Sequence, residues 1–325
     1  MVNAGNVGKW TTDSMNSLAG LASLTIDLDG VRHYRSIHGL EPQQGEDPFL
    51  TQGLDCFLDF CAELGIPATL FVVTEDLHNE AIAQRVQRAA ADGHEIACHS
   101  HCHDYSMSRW NPSQIGDELA RSIAAIEGLV GRRPMGFRAP GYNLSETLLD
   151  GIETAGFGYD SSLLPSPAYW GARGLVIALK SVGDRPSASL VGNPKAFMPQ
   201  RGPFRPKRKT KGWRSQTRRL LELPMTAPMG LPWIGTTVVG SEHLGWNLTR
   251  LALRNRKPID LELHPIDVTP EDAVDADLRR IRRDLQVPFA QRMRRLRRTV
   301  ERVAGARRFV PLAEVAHRAG ASQYS

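Results

Sequence analysis

Cysteine is scarce here: four residues in a chain of 325. That is too few to build a disulfide framework for a protein of this size. No apolar run approaches the length needed to span a bilayer. The stretch from Met1 to Ser23 lacks a charged segment followed by a sustained apolar one, so no secretion signal is read there. Internal repeats and low-complexity tracts are missing as well. The expectation is a cytoplasmic protein, free or held peripherally at the inner membrane. With 41% hydrophobic residues, a chain this long can bury one substantial core. Residues 1–20 read as a polar leader and 21–318 as a single domain.

The excess of positive charge is small, +5, but it is unevenly placed. Basic residues gather between Arg201 and Arg219 and between Arg279 and Arg308. The second group surrounds a stripe of Phe289, Met293, Leu296, Val300 and Val303 at helical spacing, which makes its arginines a solvated helix face. The first sits in a Gly- and Pro-rich insertion, about residues 166–219, read as loops and short strands. Such a loop suits a phosphate on the substrate or an anionic lipid surface. Only Phe204 and Trp213 interleave with its cations, so nucleic acid is an unfavoured partner.

The most distinctive stretch runs from His94 to Asp104. An apolar segment, Ile96 to Cys98, leads into His99, His101 and His103. His99 and His103 stand four apart, so a helical turn or a tight loop would aim both the same way. Imidazole is the commonest ligand for a borderline metal, and two of them need only a carboxylate to complete a catalytic site. The alternative for this stretch is a polar loop. Cys98 and Cys102 invite a thiolate reading, but Cys56 and Cys61 lie on an amphipathic helix, and buried reduced thiols explain all four.

Along the rest of the chain, strand and helix patterns alternate. Ser23 to Leu28 reads as a strand ending in Asp27, Asp29 and Gly30, and a long loop with His33, Tyr34, Arg35 and His38 follows. A helix pattern covers Phe49 to Leu64, a strand Ala68 to Val73, and a helix Asn79 to Ala91. Asn111-Pro112 caps the next helix. Strands carry Gly136 to Tyr142, Gly158 to Ser162, Leu220 to Met225 and Ile259 to His264, and Thr269-Pro270-Glu271-Asp272 reads as a helix start. Repeated strand–helix units with short connections predict an α/β fold, a distorted (β/α) barrel of roughly seven or eight parallel strands. The polar residues singled out fall at the C-terminal strand ends, where such barrels place their chemistry.

Five stretches resemble, in order, the motifs of the polysaccharide deacetylase (NodB-homology, carbohydrate esterase 4) family. They are Thr25-Ile26-Asp27-Leu28-Asp29-Gly30, His99-Ser100-His101-Cys102-His103, Arg138-Ala139-Pro140-Gly141-Tyr142, the segment at Asp160, and Leu261-Glu262-Leu263-His264. The resemblance implies a divalent metal, zinc first and nickel or cobalt otherwise, held by Asp29, His99 and His103. It implies Asp27 as general base oriented by Arg138, and His264 as general acid held by Asp160. The backbone N–H of Gly141 would sit in an oxyanion hole, with Pro140 and Tyr142 beside the substrate. The implied reaction removes an N-acetyl or N-formyl group from a sugar that is free, polymeric or lipid-linked. The Asp-x-Asp version of the first motif resembles enzymes that deformylate an aminosugar on a polyprenyl phosphate. Other readings are an allantoinase-like or cyclic-imide hydrolase of the same superfamily, and a non-catalytic barrel binding RNA or anionic membrane.

Overall fold

In this computed structural model, which describes residues 18–43, 45–181, 202–208 and 216–320, eight strands form one parallel sheet. They are β1 (Leu21–Leu28), β2 (Thr69–Val72), β3 (Glu95–Cys98), β4 (Gly136–Phe137), β5 (Tyr159–Asp160), β8 (Leu221–Glu222), β9 (Ile259–Leu263) and β10 (Arg308–Phe309). A separate antiparallel pair joins β6 (Lys207–Arg208) to β7 (Gln216–Thr217). One edge of β1 takes β9 over Ala22–Ile26. Its other edge takes β10 at Leu21 and Ala22, then β2 over Thr25–Leu28. From β2 the sheet curls through β3, β4 and β5 to β8. No ladder among the described residues joins β8 to β9, so the barrel stays open there; the Thr226 hydroxyl bonds the Asp260 N–H across the gap at 2.9 Å.

Period-two alternation decides what each strand shows to the inside. On β1, Leu24, Ile26 and Leu28 pack with the surrounding helices in the main apolar core. Ser23, Thr25 and Asp27 alternate with them and are equally buried. On β9, Ile259, Leu261 and Leu263 join the core, while Asp260 and Glu262 take the other face. The barrel interior is therefore polar at one end, and a polar interior must be paired within itself.

The helices follow their sequence signals closely where capping is strong. Pro112–Val130 starts in a capping box between Asn111 and Gln114 and ends at Gly131, whose φ of 68° is left-handed. Leu54–Leu64 ends at Gly65 with φ 62°, a conformation glycine adopts without strain.

Elsewhere the structure corrects the reading. Val31–His38 is a helix, not a loop. The insertion contains a helix over 167–181. After Thr269 the chain makes only a short turn, Glu271–Ala273, before a helix at Ala276–Ile281 capped by Asp275. On the helix Phe289–Ala304, Arg292 is fully buried rather than solvated, because it donates to the carbonyls of Val287, Ile266, Asp267 and Thr269. The described part of the basic insertion is also partly spent within the fold. Arg208 pairs with Asp150 and Glu153 at 3.0 Å each, and Phe204 bridges Glu222. Lys209 to Arg214 lie outside the described residues. No helix of the described residues is long and apolar enough to cross a membrane.

Candidate metal centre and its acid–base flanks

The C-terminal ends of β1, β3, β4 and β9 deliver the singled-out residues to one place. Just past β1, the Asp29 N–H bonds the Asp27 carbonyl at 2.8 Å, a tight turn that brings both acids to the site. After β3, the chain from His99 to His103 is a tight loop rather than a helical turn, with Ser100 at φ 67° and His103 at φ 56°. Two non-glycine residues in the left-handed region cost free energy that the surroundings must supply. Glu118, fully buried on the helix Pro112–Val130, supplies part of it by accepting the N–H groups of His101 at 2.9 Å and Cys102 at 2.8 Å. The Ser100 hydroxyl accepts the His103 N–H at 3.0 Å.

Asp29, His99 and His103 offer ligand atoms that lie within 4.8 Å of one another, all buried. The His99 Nε2 stands 3.4 Å and the His103 Nε2 3.0 Å from Asp29 Oδ1. His99 Nδ1 meets only a carbonyl, that of Arg138, at 2.7 Å. It must therefore carry the proton, which leaves the Nε2 lone pair facing Asp29. Asp29 Oδ1 and His103 Nε2 are buried without a hydrogen-bond partner. An orphaned carboxylate oxygen and an orphaned imidazole, beside the Nε2 lone pair of His99, fit a divalent cation. Burial opposes the Asp29 charge, yet the neighbouring histidines hold its carboxyl well below the usual range.

Asp27 stands on one flank. It is 1% exposed, its Oδ1 accepts from Arg138 at 2.6 Å, and its Oδ2 lies 3.8 Å from His99 Nε2. Burial raises its pKa and the Arg138 guanidinium works against that rise, leaving a net upward shift. Arg138 is 0% exposed and is shared: its second partner is Asp260 at 3.0 Å, while Phe71 lies under its face at 4.1 Å. A buried guanidinium needs this much compensation to be tolerated. Burial pushes Asp260 up to about 7 despite that contact.

His264 stands on the other flank, its Nε2 3.7 Å from Asp29 Oδ2. Its Nδ1 meets Glu262 Oε1 at 2.8 Å. Burial alone would lower the imidazole pKa, but the Glu262 carboxylate overrides it and lifts His264 well above its ordinary value. The sequence reading had Asp160 in this role, and the structure replaces it. Asp160 Oδ1 instead accepts the Ser162 hydroxyl at 2.5 Å, and that hydroxyl accepts the Ala139 N–H at 2.8 Å. Asp160 thus braces the loop from Arg138 to Tyr142 from behind.

In that loop Pro140 is buried. Gly141 has φ 57°, and a Cβ there would fall 2.5 Å from the Tyr105 ring, so only glycine fits. Tyr142 is also left-handed, with φ 63°, and its hydroxyl donates to Glu262 at 3.1 Å. That hydroxyl is committed to holding Glu262. Three site residues were missed: Glu118, Asp260 and Glu262. The last two carried a signal, since Asp260, Glu262 and His264 alternate with Ile259, Leu261 and Leu263. His33, from the helix after β1, also reaches the site, with its ring 4.2 Å from that of His103 and its Nε2 buried without a partner. The thiols stay out of the chemistry: burial pushes Cys98 and Cys102 up to about 12, so neither is a thiolate near neutral pH.

Comparison with known proteins bears on the family and the fold. The family model described as polysaccharide deacetylase matches residues 46–159. A peptidoglycan deacetylase-like protein of Gibberella zeae is 42% identical over 71 residues, covering 22% of this chain and 21% of the relative. A chitooligosaccharide deacetylase of a Bradyrhizobium species is 30% identical over 127 residues, covering 39% of this chain and 55% of the relative. The chain therefore spans about half or less of the length of these curated relatives. A crystal structure from Mycobacterium smegmatis assigned to the polysaccharide deacetylases superposes with a TM-score of 0.60 over 94% of this chain and 92% of that one, at 17% identity. Residues 46–159 thus match the polysaccharide deacetylase family model, and over nearly its whole length the chain shares the fold of the Mycobacterium smegmatis structure.

Proposed function

We propose that the protein is an amide hydrolase that removes an N-acetyl or N-formyl group from a sugar. The observation that carries this reading is a cation-ready cluster with the Asp27 carboxylate on one side and, on the other, the His264 imidazole held by Glu262 at 2.8 Å. Asp29, His99 and His103 would hold one divalent ion, zinc or a similar metal. When bound, that ion would polarise the acyl carbonyl and lower the pKa of water.

The chain's own groups then divide the proton work. Asp27, fixed by Arg138 and pushed upward by burial, takes a proton from the attacking water as its oxygen bonds to the acyl carbon. His264, kept protonated by Glu262, gives a proton to the sugar nitrogen as the C–N bond breaks. The products are a carboxylic acid and a free amine; Asp27 releases its proton to solvent, and His264 regains from solvent the one it gave. The loop at Gly141 lies beside the reacting carbonyl, where a backbone N–H would stabilise the developing oxyanion. The names of the matched relatives favour an N-acetylated glycan over a cyclic imide as substrate. A phosphate-bearing or lipid-linked sugar stays within the proposal, since the basic insertion suits an anionic group.

The deciding experiment measures bound metal in the purified protein, together with acetate and formate release from a panel of N-acyl sugars. Metal near one per chain with acid release is expected. No release from any panel member by the metal-loaded protein would overturn the reading.

A further inference from the structure

The ligand-type side chains at the strand ends fall into two sets. Asp29, His99 and His103 offer ligand atoms within 4.8 Å of one another, and so do Asp27, Glu262 and His264. The sets interlock. Asp29 Oδ2 lies 3.7 Å from His264 Nε2, and Asp27 Oδ2 lies 3.8 Å from His99 Nε2. Each aspartate therefore faces the imidazole of the other set.

Glu262 distinguishes the second set from a simple acid with its orienting carboxylate. Its side chain is fully buried. Oε1 is used twice, by the Tyr142 hydroxyl at 3.1 Å and by His264 Nδ1 at 2.8 Å. Oε2 is buried with no hydrogen-bond partner. A carboxylate oxygen left so is costly, and a cation relieves the cost. Mixed imidazole and carboxylate donors suit zinc and similar borderline ions, whereas magnesium and calcium prefer oxygen alone. The His264 side chain is 19% exposed, so an ion reaches the set from solvent on that side and needs only the space between the ligand atoms.

Charge favours a second ion and also limits its affinity. The two sets bring three carboxylates, Asp27, Asp29 and Glu262. Arg138 offsets part of this, but it takes Asp27 Oδ1 and is shared with Asp260. An ion on the first set removes much of the remaining surplus, so a second binds more weakly than the first.

We propose that Asp27, Glu262 and His264 form a second divalent-cation site, filled by zinc or a similar ion in excess, and that filling it inhibits the reaction. An ion there takes up the carboxylate that would accept the water proton. It also takes up the imidazole that would give one, because a ligating imidazole must be neutral. This goes beyond the amide-hydrolase reading: the second site stands on metal binding alone, and only the inhibition rests on that reading.

The test titrates protein carrying one zinc per chain with zinc chloride and, separately, with magnesium chloride. Binding is followed by calorimetry, and turnover by acetate release from an N-acetylglucosamine oligomer. One further zinc should bind per chain, with turnover falling in step, and magnesium should give neither effect. Glu262→Gln and His264→Ala, checked as folded by circular dichroism, should keep the first ion and each weaken the second about tenfold or more. Second binding of wild-type strength in both variants would place that ion elsewhere and overturn the site. Loss of the first ion from folded Glu262→Gln would overturn it as well, since the two sets would then be one. A second ion that depends on Glu262 and His264 but leaves turnover unchanged would overturn the inhibition. A wild type inactive on every N-acyl sugar would remove the amide-hydrolase reading, with the second site still decided by calorimetry.

Discussion

Glu262 and His264 stand two residues apart at the end of β9, and the Oε1 of the first meets the Nδ1 of the second at 2.8 Å. The acid candidate thus carries its own orienting carboxylate on the same strand face. Glu262 is itself held by the Tyr142 hydroxyl from the opposite loop. The protonated form of His264 would be the working one, so activity should fall as pH rises through its pKa.

Glu262→Gln removes the charge that lifts this pKa while keeping a hydrogen-bond acceptor. The alkaline limb of the rate profile should move to lower pH by about one unit or more. Asp160→Asn, in contrast, should leave that limb where it is, because Asp160 bonds Ser162 and not His264. Profiles of kcat against pH for the two variants decide the matter. A shift in Asp160→Asn with none in Glu262→Gln would reverse the assignment.

The cation-ready cluster makes a separate prediction. His99→Ala and His103→Ala should each lose bound metal while keeping wild-type far-ultraviolet circular dichroism. His99→Ala should fold the same way but unfold at lower urea, since its Nδ1 also ties the end of β3 to the Arg138 carbonyl. A stoichiometric metal remaining in both variants would remove these histidines from the ligand set.

Asp27→Asn and His264→Ala should each lower kcat by about two orders of magnitude or more, with metal still bound. Metal analysis alongside turnover separates the two acids at the end of β1. If Asp27→Asn loses the metal and Asp29→Asn keeps it, the base and the ligand have exchanged roles.

What could be read from the sequence was whatever local pattern carries. The strand ending in Asp27 and Asp29 and the spacing of His99 and His103 pointed to side chains that the structure brings within reach of one another, because strand and loop geometry fix which side chains share a face. The alternation along β9 held Asp260 and Glu262 in plain view. The choice of Glu262 over Asp160 as the partner of His264 was not legible, since it depends on how far the sheet curls between β5 and β9. The helix Val31–His38 was hidden by its histidines and arginines, which offer a weak apolar stripe. The helix over 167–181 was hidden by Gly171 and Gly174, which lower helix propensity and are outweighed by packing of Trp170 with Tyr142 and Met225.

Arg292 shows how far a single buried donor can matter at a distance from the chemistry. Its guanidinium is fully buried and reaches Ile266, Asp267 and Thr269 carbonyls at 2.9, 3.0 and 2.6 Å. These residues follow His264 directly, and Asp267 Oδ2 accepts the His264 N–H at 2.9 Å. Arg292→Met keeps the volume of the stem but leaves several buried carbonyls without a donor. Such a loss should cost about 3 kcal/mol or more of stability. Urea unfolding should show a lower midpoint with an unchanged slope, which marks lost stability rather than a changed unfolded state. Because the anchored segment sets the position of His264, kcat should also fall while bound metal is retained. Arg292→Lys should recover only part of either loss, since one ammonium cannot span the guanidinium's fork of acceptors. A methionine variant as stable and as active as wild type would mean that the segment after His264 is held by its apolar packing alone.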